Sequence, residues 1–294
     1  MTRAQISLLP DGRRLQCNDG PIDLIIQAFG EAAEVHCAYA AAATRFVDVL
    51  DELCHELPTL RQRPQEPPRG RIARKMFAAV LPFSRNGFIT PMAAVAGAVA
   101  EEILHSMTSA ATLTRAYVNN GGDIAFHLTP QHSFTTGMIS LANSISLFGT
   151  LKLHYQQPAR GLATSGWRGR SFSLGIADAV TVLARSASEA DAAATVIANA
   201  VDLPGHPAIL RVPANTLAPD SDLGHRLVTQ AVGDLTPDDI ATALDAGAAV
   251  ARALLHQDLI CSAALNLQQE TRVITNPSQQ MHSQPHSPRS LLHA

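Results

Sequence analysis

Charge is scarce in this chain. Asp, Glu, Lys and Arg together make up 16% of its 294 residues, and the formal net charge is −3. A nucleic-acid-binding surface needs a basic face, so that class of partner is not expected. Aromatic residues are also few, at 4% with a single Trp, which argues against stacking platforms. The four cysteines, Cys17, Cys37, Cys54 and Cys261, are widely separated and form no Cys-x-x-Cys pair. A zinc site or a disulfide framework is therefore not expected, and a reducing cytoplasm is the expected compartment. The N-terminal MTRAQISLLPDGRR lacks an apolar core long enough for a signal peptide. The longest apolar stretch, Ile89 to Ala100, is short for a membrane span and runs into Glu101 and Glu102. Gly-x-Ser-x-Gly, the Walker loop and the dinucleotide fingerprint are missing, and the nine histidines from His36 to His256 show no His-x-x-x-His spacing.

Hydrophobic residues, by contrast, make up 46% of the chain, enough to bury a full core. Residues 13–29 alternate as one or two strands. Glu31 to Leu57 repeats apolar residues at helical spacing, with Pro58 as its stop. The basic, Pro-rich stretch 61–71 reads as a surface loop, and Phe77 to Phe83 as a short strand. Thr90-Pro91 opens a helix whose Ala93, Ala96, Gly97 and Ala100 let a neighbouring backbone approach closely. Arg115 to Leu128 reads as strand, turn and strand around Gly121-Gly122, and Ser140 to Gln156 as two further strands. Ala179 to Arg185 follows as a strand, Ser188 to Val201 as a helix and Pro204 to Asp222 as loop. Thr236-Pro237-Asp238-Asp239 starts a helix to about Gln257, and Leu259 to Leu267 returns as a strand. Helices and short strands alternate without a strict βαβ rhythm. The expectation is one α+β domain over residues 1–275, with mixed or antiparallel sheet and packed helices, and a disordered tail over 276–294.

Three local patterns carry chemistry. Asn119-Asn120-Gly121-Gly122-Asp123 is a hairpin turn, or a place where glycine amides touch a phosphate and Asp123 holds a ligand hydroxyl or a water. Thr164-Ser165-Gly166 is a second turn, followed by Trp167, Arg168 and Arg170. Two guanidiniums beside hydroxyls and amides suit a diphosphate. Asp191 and Thr195 stand four residues apart on a helix and share a face. Either Ser188 and Asp191 form a capping box, or Asp191 and Thr195 supply part of a magnesium shell.

The blocks GGD, GLATSG and EADAAAT, in this order, resemble the ApbE-like superfamily, known for FAD:protein FMN transferases. A closer likeness, over about residues 10 to 270, is to an uncharacterised, UPF-type branch sharing ITPMAAVAGAVAE, VNNGGDIA and TSGWRGRSFSLGIADAVTVLARSA. The resemblance implies that Gly121, Gly122 and Asp123 lie along bound FAD, bordered by Thr164, Ser165 and Gly166. Asp191 and Thr195 would be magnesium ligands, with the carbonyl of Ala163. The transferases carry a His-x-x-Asp-Pro-x-Thr-Gly segment that is replaced here by WRGRSFSLGIADAVTVLARSASE, so that either another group, such as Asp178, takes proton duty, or this branch does different chemistry or binds its ligand without turnover.

The expected protein is thus an ApbE-like enzyme acting on FAD or a related phosphorylated cofactor with magnesium, by flavin transfer or phosphodiester cleavage. An acceptor protein and a homo-oligomer are compatible with it; nucleic acid and membrane are not expected partners. A non-catalytic flavin- or nucleotide-binding protein is the alternative, favoured by the missing His segment. A purely structural interaction protein has only the small-residue helix at 91–107 in its favour.

Overall fold

Strict alternation builds the centre of the sheet. In β3 (Ile22–Phe29) every second side chain, Ile22, Leu24, Ile26 and Ala28, is buried, because successive strand residues face opposite sides. The computed structural model describes residues 3–85, 87–140 and 146–275. The expected disordered tail therefore lies outside the described residues, as does part of the Ser140 to Gln156 segment. The first two strands are β1 (Gln5–Leu8) and β2 (Leu15–Asp19). The hairpin of β4 (Arg115–Asn120) and β5 (Asp123–Leu128) follows, then β6 (Ser133–Ser140) and β7 (Ser146–His154). The remaining strands are β8 (Gly161–Ser165), β9 (Ala179–Ala184), β10 (Ile209–Pro213), β11 (Leu227–Val232), β12 (Ser262–Leu267) and β13 (Glu270–Thr275). Nine of them form one antiparallel sheet in the order β1-β2-β3-β4-β5-β8-β9-β12-β13.

The helices are α1 (Ala32–Phe46), α2 (Val49–Leu60), α3 (Arg71–Val80), α4 (Val95–Ala110), α5 (Ala187–Ala200), α6 (Ala214–Leu217) and α7 (Pro237–His256). On one face of the sheet α4 covers β4 and β5, α5 covers β8 and β9, and α7 covers β12 and β13. A smaller apolar cluster of Phe126, Leu128, Leu151, Leu153, Leu162 and Leu183 fills the other face. Strand β9 is buried along its whole length because it meets both clusters. The class is α+β, as its elements foretell.

Several local expectations change. The helix expected over Glu31 to Leu57 breaks at Val47-Asp48, two weak helix formers, into α1 and α2. Pro58 does not stop α2; it sits in the last turn, where it removes one helical hydrogen bond near the helix end, and the helix runs on to Leu60. Phe77 to Phe83 is helical, since Ile72, Ala73, Met76, Ala79 and Val80 form one buried face that a window starting at residue 77 conceals. Pro204 to Asp222 holds β10 and α6; β10 pairs with β11 as a separate ribbon. Thr236 caps α7 with Asp239 in a reciprocal capping box, as the sequence indicates.

Candidate functional site

Pairing between β5 and β8 is short, and its end opens the site. These two strands match only at Ile124–Leu162 and Ala125–Gly161. Beyond them the Asp123 carboxylate, not a strand carbonyl, accepts the N–H of Thr164 at 3.1 Å. The β4–β5 turn that delivers Asp123 consists of Gly121 and Gly122, both at positive φ (66° and 116°), where glycine carries no steric cost. Asn119 fixes the turn by accepting the Gly122 N–H through Oδ1 at 2.8 Å.

Helix α5 approaches the same point from the other side. Its N-cap is Ser186, whose hydroxyl accepts the N–H of Glu189. Ser188, the expected cap, lies inside the helix and is bonded through N–H and hydroxyl to Glu101 Oε1 (2.6 and 2.7 Å). The capping-box reading of Asp191 is therefore corrected: Asp191 lies past the first turn and accepts the N–H of Gly97, at the start of α4, at 3.0 Å. The close approach is possible because Gly97 has no Cβ; one placed there would stand 2.2 Å from the carbonyl oxygen of Ala187.

Asp123, Ser165, Arg170, Asp191 and Thr195 line one cleft of about 360 Å³. Arg170 lies over the β4–β5 turn, so close that a Cβ on Gly121 would meet its guanidinium. Both carboxyls resist ionisation. Burial pushes Asp123 up to about 7 against the pull of the Thr164 amide and Arg170. Burial and then the charge of Asp123 hold Asp191 well above the usual carboxylate range, against the amides of Gly97 and Ala96. Two neighbouring carboxylates that oppose each other's charge, with the Thr195 hydroxyl one turn on, form a hard oxygen donor set of the kind magnesium takes. Among the described residues no group of three or more His, Cys, Asp or Glu gathers for a metal ion. Ligand oxygens would therefore have to complete such a shell.

Other expected site residues are placed elsewhere. Asp178 is not at the cleft. It is buried, accepts from Trp167 Nε1 (3.2 Å), Arg168 Nε (3.0 Å) and the Gln268 N–H (2.7 Å), and so ties the 167–168 turn to the end of β12. This corrects its assignment to proton transfer, because its acceptor oxygens are engaged by structural donors. Arg168 and Trp167 go with it, the guanidinium stacking over the indole at 4.4 Å, so the expected Arg168–Arg170 clamp is divided. Thr164 is beside Asp123 but turns its hydroxyl to Thr181 (2.9 Å), and the Ala163 side chain is buried in the main core. Gly166 packs against the carbonyl oxygens of Ala177 and Asp178, too close for a Cβ.

The cleft also takes residues that the motifs did not flag: Arg61, Phe88, Asn199, Asp220 and Asp222. Asn199 was within reach, since it continues the Asp191–Thr195 spacing by one more turn. Asp222 was not, because only the fold brings its carboxylate to the Thr90 hydroxyl.

A family model described as AbpE bacteria matches residues 6–273. A UPF0280 protein of Methanococcus vannielii is 41% identical over 119 residues, which cover 40% of this chain and 47% of that protein. One of Methanothermobacter thermautotrophicus is 41% identical over 124 residues, 41% of this chain and 46% of its own. The chain thus spans about half the length of the curated relatives it matches. The solved structure described as flavin transferase ApbE from Vibrio cholerae has the same fold, with a TM-score of 0.50, 12% identity, and 94% of this chain and 98% of that one covered. With two part-buried carboxylates facing a cleft beside a glycine turn, on that fold and with a family match over nearly its whole length, this chain belongs to the AbpE bacteria family.

Proposed function

We propose that this chain is an ApbE-like enzyme that acts on FAD, or a related phosphorylated cofactor, with magnesium. The observation that carries the reading is the meeting of Asp123, Asp191, Thr195, Ser165 and Arg170 in one cleft. Its fold relative's description as a flavin transferase supports a flavin ligand. Asp191 and Thr195 would hold the metal, and bound magnesium would neutralise charge developing on a diphosphate. Arg170 offers forked donors to the same anionic group. The Ser165 hydroxyl and the Thr164–Gly166 turn border it. Asp123, beside the Thr164–Gly166 turn, would take the proton from an attacking hydroxyl, whether of an acceptor protein or of water. Attack at the flavin phosphate forms a new P–O bond, breaks the diphosphate and releases AMP. A cytoplasmic setting suits the four free thiols.

Incubating the purified protein with FAD and magnesium tests this: AMP should appear, with either free FMN or flavin bound covalently to an acceptor. Binding of FAD with no AMP release would favour a non-catalytic flavin-binding protein, a reading supported by the lack of a histidine along the cleft among the described residues. Failure to bind FAD with or without magnesium would sink both.

A further inference from the structure

Helix α5 carries its polar cleft residues as a row. Asp191, Thr195 and Asn199 follow at four-residue intervals and all three line the cleft. Four residues advance a helix by about 6 Å and return the side chain to nearly the same face, so the row runs about 12 Å along the axis. The reading above uses its first two members and leaves Asn199 without a role.

The orientation of Asn199 is determined by its neighbours. Its Oδ1 accepts the N–H of Leu174 at 2.9 Å and the Ser173 hydroxyl at 3.3 Å. A backbone N–H can only donate, so the oxygen must face the 173–174 segment, and both its lone pairs are engaged there. Leu174 is itself a cleft wall residue. The Asn199 NH2 group therefore remains as a donor held rigidly at the cleft. The row is polarised as a result: a carboxylate at one end, a hydroxyl of either sense in the middle, and a donor at the other end.

We infer that Asn199 is a ligand-reading residue, donating from Nδ2 to a neutral acceptor on the part of the phosphorylated ligand that lies away from Asp191. The inference rests on the reading of this cleft as a magnesium-dependent FAD site. The acceptor chemistry is a ring carbonyl or ring nitrogen, which in FAD either the isoalloxazine or the adenine can supply.

Asn199→Asp separates the two duties of the side chain. It keeps an oxygen for the Leu174 N–H and replaces the donor with a negatively charged acceptor. Calorimetric titration of this variant with FAD, FMN and ADP, each with magnesium, should show a loss of at least about tenfold for FAD, with the melting temperature close to wild type. A parallel loss for FMN assigns the acceptor to the isoalloxazine, and one for ADP assigns it to adenine. The wild-type protein offers a second measurement that needs no variant: FAD analogues with sulfur in place of a ring carbonyl oxygen should bind more weakly if that carbonyl is the acceptor, and adenine-modified analogues if it is not. Unchanged affinity of Asn199→Asp for all three ligands overturns the inference. If Asp191→Asn still abolishes the magnesium-dependent part of FAD binding in that case, the site reading survives and only the role of Asn199 falls. A wild-type protein that binds neither FAD nor ADP with magnesium removes both.

Discussion

At the scale of single residues the site is a charge conflict. Asp123 and Asp191 favour the protonated form in the fold, by burial above all and, for Asp191, by the charge of its neighbour. A carboxyl whose folded pKa lies above its unfolded one makes the native state bind more protons than the unfolded state. Its contribution is present at acid pH and is lost as pH rises from about 4 towards 7. The metal-free protein should therefore melt at a lower temperature at pH 7.5 than at pH 5. Asp191→Asn keeps an oxygen for the Gly97 N–H, and it should flatten that dependence and raise the melting temperature at neutral pH by roughly 2–4 °C. Magnesium should stabilise the wild type at neutral pH and leave the variant unmoved; calorimetric melts across pH, with and without magnesium, read all three, and a flat wild-type profile would remove the conflict. The two arginines differ in the same way. Arg168→Gln breaks an ion pair with buried Asp178 and should cost stability, about 1–2 kcal/mol, with FAD affinity intact. Arg170→Gln should do the reverse, losing about 1.5–3 kcal/mol of binding while stability hardly moves. Denaturant titration and calorimetry of the two single variants decide it; equal behaviour of the pair would restore a joint clamp.

At the scale of elements the controlling contact is the crossing of α4 on α5. Gly97 lies against the carbonyl of Ala187 and gives its N–H to Asp191, so one small residue sets both the helix distance and the direction of the carboxylate. Gly97→Ala must push the helices apart or bend one of them. It should cost about 1–3 kcal/mol and blunt the magnesium dependence of FAD binding in the same protein. Denaturant unfolding with and without magnesium measures both, and a loss of stability below about 0.5 kcal/mol would mean that the crossing has slack. This contact was half legible: the small residues at 93, 96, 97 and 100 announce a close neighbour but do not say which. The glycine turn, the strands around it and the cap at Thr236 could be read because each depends on residues within a few positions. The start of α5 was misread because two serines, Ser186 and Ser188, compete for the cap, and the choice depends on Glu101, which is far away in sequence. The same reason hid the fate of Asp178: its donors include the amide of Gln268, ninety residues away, and no local pattern distinguishes a tethered aspartate from a proton carrier.

At the scale of the whole molecule the cleft draws its walls from segments scattered from Arg61 to Leu223. The 87–96 stretch, the β4–β5 turn, the end of β8, α5 and the 218–223 loop meet only when the sheet and its helical layer are complete. The Thr90 hydroxyl donates to Asp222, joining two of these walls. A ligand that contacts most of them binds the native state and not the unfolded chain, so its binding energy adds to the stability of the entire fold. With FAD at about a hundred times its dissociation constant and magnesium present, the stabilisation should be about 2.7 kcal/mol, a rise of roughly 5–10 °C in melting temperature. Because the walls are separate in sequence, slowed amide exchange should appear at 87–96, 165–174 and 218–223 together, with the β1–β2 edge of the sheet gaining no more than the global stabilisation gives it. Protection confined to one of these segments would mean that the ligand touches a single wall, and the shared cleft would then be too generous a description of the site.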